Sequence, residues 1–335
     1  MSNTNTRQKP RTGFTGRKQS IVAMAVLLGL MVLGLVGLAA ATGWQETLGQ
    51  ISKLSLAQVL LLLGLSLVNY AIRGWRWHLF AGRLGLGTAL VQNLRHFLGG
   101  FAMITTPGRV GELVRMRWIK RETGWPHEKT IPLVLMDRAS DLTGMALLLG
   151  AAIILSDGGI VGAVPVAILA LGLAFVATRP RLLARLAELG YRLIGRWPRL
   201  FVKIRKSARA LSAFSNPLFL STTTIVGAVG WFAEAYAFYL LLSWMGADVS
   251  LATATAIFLF AIIVGGLTGA PGGIGGADAA MLALLALEGV PFETSLAATA
   301  IIRVTTLWFG IAIGLITFPI AEKVSKRAAH ALEND

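Results

Sequence analysis

The sequence predicts an all-α polytopic membrane protein with about six full spans, two Pro-Gly re-entrant helical hairpins and an inverted repeat. The first observation is composition. Of 335 residues, 55% are hydrophobic and only 14% are charged, with a mean hydropathy of +0.68, whereas soluble domains carry about 25% charged residues. The second is the length of the apolar runs, since residues 21–42 hold no charge and could cross a hydrocarbon core of about 30 Å.

The third observation is where the basic residues lie. Five segments hold 27 of the 31 Lys and Arg residues, namely 1–20, 73–83, 109–129, 179–209 and 321–335. Lys and Arg accumulate on the cytoplasmic side of membrane proteins, so both termini are expected in the cytoplasm of a cell-membrane protein. The same rule accounts for the net charge of +15 without a nucleic-acid partner.

Six apolar runs predict the full spans. The first is expected to be a retained helix, because it is longer than the ~7–15 apolar residues of a signal peptide. The second ends in the sequence RGWRWH (73–78), which resembles a basic and aromatic interfacial anchor. The predicted spans are 21–42, 54–72, 130–155, 160–178, 217–244 and 297–320.

Each full span takes the chain to the other side of the membrane. To keep every basic segment inside, two further segments must enter and leave the membrane from the same side, as hairpins. Residues 84–106 lead into the turn PGRVG (107–111), between two basic segments that are both expected inside. Residues 251–269, the turn PGGIGGAD (271–278) and residues 279–287 lie between two segments that are both expected outside. Each turn is therefore predicted to be the tip of a re-entrant pair.

The two turns also predict an internal repeat. An arginine within an apolar run follows each proline at a similar distance, Arg138 after Pro107 and Arg303 after Pro271. Broken segments at corresponding positions of two halves are typical of inverted-repeat transporters. The expected organisation is a basic tail (1–20), a membrane domain (21–320, with halves at about 55–178 and 217–320) and a second tail (321–335).

Charged residues within the apolar runs are the candidate functional residues. A charge at the centre of a membrane helix costs about 2.5–3.5 kcal/mol on insertion scales, so such residues usually form pairs or serve a function. Asp137 and Asp141 share a helix face, and Glu234 and Asp278 are similarly embedded. One reading is that arginines only neutralise these acids, and the charge partners would then be Glu112, Asp137, Asp141 and Asp278.

The other reading is an anion site. The planar guanidinium group suits phosphate, and free amides at a helix start add donors and a positive dipole end. The expected ligands of a lipid phosphate are Arg109, Arg115, Arg138, Arg303, Gly108, Gly111, Gly272, Gly273 and Gly275.

Residues 179–209 predict a second contact with lipid. Leucines recur at three- and four-residue spacing, and arginines form a parallel stripe beside them. This pattern is typical of a basic amphipathic helix on the anionic inner leaflet. A plain positive loop explains the same charges equally well.

No cofactor and no metal site are expected. The chain has no cysteine, and its four histidines are scattered without the spacing of metal ligands. No nucleophile motif is present, so the sequence predicts that the protein is not an enzyme.

With these residues in hand, the chain resembles the transmembrane region of lysylphosphatidylglycerol synthases, a flippase-like integral membrane family. The resemblance covers about residues 55–320 and rests on PGRVGELVR (107–115), Arg138 with Asp141, PGGIGGAD (271–278) and Arg303. The cytosolic aminoacyl-transfer domain of the full-length synthases is not part of it. The resemblance therefore implies lipid translocation and not aminoacylation.

Three functions stay open at this point. The first is a flippase or scramblase that moves an anionic or polyprenyl-linked lipid through a basic midplane cavity. The second is a membrane enzyme acting on a lipid head group, with Asp137 and Asp141 as metal ligands or bases. The third is a small-solute transporter on the same inverted-repeat plan.

Overall fold

The computed structural model describes most of the membrane part of the chain. The described residues are 49, 54–104, 106, 113–156, 163–179, 181, 182, 185, 188, 189, 192, 211–214 and 216–334. Three predicted features lie outside the described residues. They are the first span, the turn PGRVG with Gly108, Arg109, Gly111 and Glu112, and most of the basic segment 179–209.

The described residues form helices and the turns that connect them, without strands, which confirms the predicted all-α class. The α-helices whose bounds fall within the described part are α1 (Leu56–Arg83), α2 (Leu90–Gly100), α3 (Val114–Thr123), α4 (His127–Leu155), α5 (Ala163–Thr178), α6 (Pro217–Trp244), α7 (Leu251–Leu267), α8 (Gly276–Leu287), α9 (Phe292–Arg303) and α10 (Phe309–Asn334). Short 3-10 turns lie at Phe101–Met103, Leu211–Phe214 and Pro271–Gly273. A π-helical turn, Val304–Trp308, joins α9 to α10 without a break.

Four helices in the described part are long and apolar enough to cross a membrane, at Leu56–Arg83, Lys129–Leu155, Pro217–Trp244 and Phe292–Ala331. They coincide with four of the six predicted spans. The predicted span 160–178 is the 16-residue helix α5, which is only about 24 Å long at 1.5 Å per residue. The count of six spans stays a prediction.

The second predicted hairpin consists of two short helices that pack against each other. Helix α7 has 17 residues and α8 has 12, and the 3-10 turn Pro271–Gly273 lies between them. Gly272, Gly273 and Gly275 have φ values of 63°, 69° and 83°, which residues with a Cβ rarely adopt. Glycine therefore permits this sharp turn, and its re-entrant position in a membrane remains a prediction.

Polar residues define several helix starts. Ser55 and Gln58 form a reciprocal capping box at α1, and the Ser250 hydroxyl caps α7. Asn216 accepts a hydrogen bond from the Phe219 amide, with Pro217 in the first turn of α6. These side chains satisfy amides that have no partner within the helix.

Two helices extend beyond the apolar runs that predict them. Helix α1 does not end near residue 72 but continues through Arg83. The last helix continues through the basic segment after residue 320 as far as Asn334. In both cases, the charged residues mark the end of the apolar run, and the helix continues past that point.

The helices form two packed regions that meet at the site described below. In the first, α4 packs against α5, α6 and α7, and their side chains form an apolar core that includes Trp231 and Phe258. In the second, α10 packs against α2 and α3 around Tyr70, Phe97 and Phe101. Helix α1 packs against α2, α4 and α6.

Close packing at Gly314 provides a direct test of this arrangement. A Cβ atom at Gly314 would lie 2.2 Å from the Ala102 backbone nitrogen and 2.7 Å from the Phe101 carbonyl carbon. Because these are backbone atoms, relief requires α10 to move away from the 3-10 turn Phe101–Met103. We expect Gly314→Ala to lower the free energy of unfolding in detergent by about 1–3 kcal/mol.

Gly64→Ala is the matched control, because a Cβ at Gly64 meets no atom within 4 Å. It should leave the unfolding midpoint unchanged or raise it slightly, since alanine is the better helix former. Equal unfolding midpoints for Gly314→Ala and wild type would contradict the close approach of α10.

Candidate functional site: a buried cavity lined by arginines

A network of buried ion pairs joins α1 to α4. Arg73 binds Asp141 at 2.6 Å, and Arg76 binds Asp137 at 2.7 Å and Asp141 at 2.6 Å. The four side chains are at most 7% exposed. Charges buried to this extent are stable only when they are paired and hydrogen-bonded, so these contacts fix α1 against α4.

Aromatic side chains complete the surroundings of this network. The indole of Trp231 on α6 donates a hydrogen bond to Asp141 at 3.2 Å. The guanidinium group of Arg73 lies over the same Trp231 ring, 4.8 Å from its centroid. Such cation–π contacts favour a charged guanidinium in a dry environment.

Arg115 is a third buried cation beside the network. It is 1% exposed, and its Nη1 lies 3.9 Å from Asp137. Its guanidinium carbon lies 4.6 Å from the centre of the Phe97 ring and 5.2 Å from that of Trp77. Arg115 therefore packs among aromatic rings behind Asp137.

Glycines on the neighbouring helices make room for these cations. A Cβ at Gly227 of α6 would lie 2.3 Å from Arg76 Nη1, and one at Gly100 of α2 would lie 2.0 Å from Arg115 Nε. Each guanidinium group occupies space that a side chain in place of the glycine would fill.

Arg303 links the end of α9 to the turn before α8. Its Nε lies 2.9 Å from Asp278 Oδ1, and its Nη2 donates to the carbonyl of Gly272 at 2.9 Å. The other carboxylate oxygen of Asp278 accepts a hydrogen bond from the Gly275 amide at 2.8 Å. Arg303 and Asp278 thus hold the glycine turn in its positive-φ backbone conformation.

A π-helical turn follows Arg303 directly. Within this turn, the Tyr70 hydroxyl of α1 donates a hydrogen bond to the carbonyl of Thr306. A π-turn widens the helix and redirects side chains, and such turns occur frequently at functional sites.

These elements line a partly open cavity of about 60 Å³. A water molecule needs only about 10–15 Å³ measured in this way, so the space suits a polar group of several atoms. The charged lining residues are Arg73, Arg138, Glu234 and Arg303. The other lining residues come from both packed regions and include Tyr70, Phe101, Trp231, Ile262 and Thr306.

Helix α3, which follows the turn PGRVG, is held by two carboxylates outside the cavity. Glu322 of α10 pairs with Arg117 and Arg121 and accepts a hydrogen bond from the Trp118 indole. Glu122 of α3 pairs with Arg95 of α2 at 2.8 Å.

Glu122 also lies 3.1 Å from His96 Nε2 and accepts a hydrogen bond from Gln92. Its partial burial alone would raise its pKa, but His96, Gln92 and the Arg95 charge together hold the pKa of this carboxyl below its ordinary value. Glu122 is therefore a carboxylate at neutral pH and keeps α3 attached to α2.

The structure brings together some of the predicted site residues. Arg138 and Arg303 line the same cavity. Arg115 is buried near Asp137 and is not among the lining residues. Arg109, Glu112, Gly108 and Gly111 lie outside the described residues, so their roles stay predictions.

The glycine turn differs from its predicted role. Its amides were expected to be free for an anion, yet the Gly273 amide donates to the Ala270 carbonyl and the Gly275 amide to Asp278. Gly272 presents its carbonyl oxygen to Arg303. In this conformation, the turn orients an arginine, and the part of Gly272, Gly273 and Gly275 in binding a substrate stays a prediction.

Sequence reasoning misread Arg73 and Arg76. The segment RGWRWH was expected to be an interfacial anchor, but both arginines are buried and hold Asp137 and Asp141. The available signal was spacing, because cations three apart on one helix can match carboxylates four apart on another. Tyr70 is absent from the predicted site, and Glu234 is singled out by the sequence only as an embedded charge without an assigned role.

Most carboxylates of the site are held by arginines. No cluster of three or more His, Asp or Glu side chains suited to a metal ion occurs among the described residues. The fold and the site define a multi-pass helical membrane protein with a buried, arginine-lined cavity.

The chain belongs to the lysylphosphatidylglycerol synthase TM region family, which it matches over residues 21–314. This match confirms the resemblance found in the sequence.

Two proteins of Methanothermobacter thermautotrophicus are also similar, each described as a UPF0104 membrane protein. One is 32% identical over 89 residues, which is 27% of this chain and 26% of that protein. The other is 30% identical over 104 residues, which is 31% of both chains. The matched part thus spans a third or less of these relatives.

Proposed function

We propose that the protein is a flippase- or scramblase-like transporter that moves an anionic or polyprenyl-linked lipid across the cytoplasmic membrane. The observation that carries this proposal is the convergence of Arg73, Arg138 and Arg303 on one buried cavity. These residues lie on α1, α4 and α9, three helices of different parts of the chain.

The chemistry of the cavity suits a phosphate group. Guanidinium groups form short, charge-assisted hydrogen bonds with phosphate oxygens, often in pairs. An unpaired charge in bare hydrocarbon is very unfavourable, and a row of cations at that depth removes most of the penalty. The head group would occupy the cavity while the acyl chains stay in the bilayer.

The outer surface of the protein fits this separation of a head group in the cavity from acyl chains in the bilayer. Large apolar side chains are exposed on α1, α5 and α6, including Leu60, Leu67, Ile168, Ile225 and Val229. Exposed apolar surface of this extent is expected to face lipid. We propose that the two tails lie in the cytoplasm and that the basic segment 179–209 contacts the anionic inner leaflet.

The enzyme alternative receives less support from the site. It assigned Asp137 and Asp141 as metal ligands or general bases, yet both carboxylates are held by the arginines of α1. The small-solute alternative differs only in the cargo, because the same cavity would take a free anion. The assay below separates the two.

The main test is lipid exchange in liposomes. Purified protein should accelerate the movement of a fluorescent anionic lipid between leaflets, measured by dithionite quenching, with proton and sodium gradients imposed in each direction. We expect Arg138→Ala to slow exchange at least about tenfold, which corresponds to about 1.4 kcal/mol of lost stabilisation of the phosphate in transit.

Arg327→Ala is the matched control, because Arg327 is exposed on α10 and is not among the residues that line the cavity. It should exchange lipid at the wild-type rate. Exchange at the empty-liposome rate for anionic phospholipids and polyprenyl phosphates under every gradient would refute lipid transport. Uptake of a free anion in the same liposomes would then support the small-solute alternative.

A further inference from the structure

We propose that Glu234 is an internal counter-anion of the cavity and takes up one proton when a phosphodiester enters, so that transport of the anion is coupled to a proton. This inference rests on the proposed function and names a proton gradient as the energy source of transport. The proton would pass from water to a carboxylate oxygen of Glu234, and no bond of the lipid would break.

The position of Glu234 carries the argument. It lies near the middle of α6, is 5% exposed and lines the cavity together with Arg73, Arg138 and Arg303. Its charge acts on Arg303 and on Tyr70. A carboxylate here occupies the same field of guanidinium groups that a phosphate would use.

The other carboxylates of the site are differently placed. Asp141 is bound by Arg73, Arg76 and Trp231, and Asp278 by Arg303 and the Gly275 amide. Neither is among the residues that line the cavity. Among the described residues, Glu234 is therefore the carboxylate that an entering anion would meet.

Charge balance then favours the uptake of a proton. A phosphodiester brings one negative charge into a site where Glu234 already supplies one, and two like charges in a region of low dielectric repel strongly. Protonation of Glu234 removes one negative charge as the phosphodiester adds one. The exchange leaves the net charge of the cavity unchanged, whatever the neighbouring arginines contact.

The groups that face Glu234 come from every helix packed against α6. To the cavity wall around Glu234, helix α1 contributes Tyr70 and Arg73, α4 contributes Arg138 and α9 contributes Arg303. Asp141 of α4 and Asp278 of α8 pair with Arg73 and Arg303 and are not among the lining residues. Helix α7 contributes Ile262 and has no titratable side chain in its sequence. Cations thus surround Glu234, and in the proposed cycle it carries its negative charge while the cavity is empty and is displaced from them when a phosphate arrives.

The first experiment counts protons during binding. Calorimetric titration of the detergent-solubilised protein is performed in two buffers of different ionisation enthalpy at several pH values. The probes are dioctanoyl phosphatidylglycerol and dimethyl phosphate, which carry the same singly charged phosphodiester with and without acyl chains. Wild type should take up about one proton per bound phosphodiester and should bind up to about tenfold more weakly per unit of rising pH.

The matched variants are Glu234→Gln and Glu288→Gln. The first imitates the protonated carboxyl, so it should bind the probes with no proton uptake and no dependence on pH. Glu288 is exposed at the end of α8, and its variant should behave as wild type. Thermal unfolding of both variants checks that they are folded, and Glu234→Ala provides a second neutral variant.

The second experiment measures coupled movement. In liposomes with an internal pH dye, an imposed proton gradient should drive the anionic lipid with the protons in wild type, whereas Glu234→Gln should only equilibrate the lipid between the leaflets.

Lipid exchange without proton movement would overturn the coupling and leave lipid transport standing. Proton uptake in Glu234→Gln equal to wild type would also overturn it. If neither probe binds wild type at any pH, both the coupling and the anion site are wrong, and binding of only dimethyl phosphate would assign the coupling to a free anion.

Discussion

Asp141→Asn is expected to destabilise the protein by about 3–5 kcal/mol, because it leaves two buried cations without their shared counter-charge. Asp141 holds Arg73 and Arg76 at 2.6 Å each and also accepts the Trp231 indole hydrogen bond. An asparagine has the same shape but carries no charge and turns an NH₂ group towards one of the guanidinium groups. The measurement is the free energy of unfolding by SDS titration in mixed micelles.

Two further variants separate loss of charge from loss of packing. The double variant Asp141→Asn with Arg73→Gln removes one charge of each sign, so it should regain at least half of the lost stability. Glu188→Gln breaks an exposed pair with Arg192 of similar length, 2.7 Å, and should change stability by less than about 0.5 kcal/mol. A loss for Asp141→Asn no larger than that of Glu188→Gln would show that the network does not stabilise the fold.

Arg303→Lys is expected to lower both stability and lipid exchange, although the charge is kept. The planar guanidinium group reaches Asp278 with Nε and the Gly272 carbonyl with Nη2, and a single ammonium group cannot reproduce this fork. Loss of the hydrogen bond to the carbonyl should cost about 1.5–3 kcal/mol. Hydrogen exchange should accelerate at the amides of Gly273 and Gly275, since the turn that Arg303 holds would open more often.

The control for this prediction is Arg327→Lys, at an exposed position of α10. It should match wild type in unfolding, in hydrogen exchange and in lipid transport. If Arg303→Lys retained wild-type values in all three measurements, Arg303 would act only as a positive charge, and the fork geometry would have no role.

Much of the architecture could be predicted because the membrane restricts the options for the backbone. Apolar runs must become helices, and four of the predicted runs are indeed long helices. Arg138 and Arg303 could be singled out because charged residues in apolar runs are rare. These predictions depend on local composition, which the sequence contains directly.

The partners of the charged residues could not be predicted in the same way. Basic and aromatic residues at the end of an apolar run have the same pattern whether they face the interface or a neighbouring helix. Only the position of Asp137 and Asp141, more than 60 residues away in sequence, makes Arg73 and Arg76 part of the interior. The π-turn after Arg303 likewise has no compositional signal, since its residues suit an ordinary helix.

The glycines opposite the buried arginines have an evolutionary consequence. Arg76 occupies the space left by Gly227, and Arg115 the space left by Gly100. Side-chain volume at one position of each pair therefore limits the volume at the other, and neither can change freely while its partner stays fixed. Drift at these pairs must proceed by compensated double substitutions, so the four positions should evolve as two linked units rather than as independent sites.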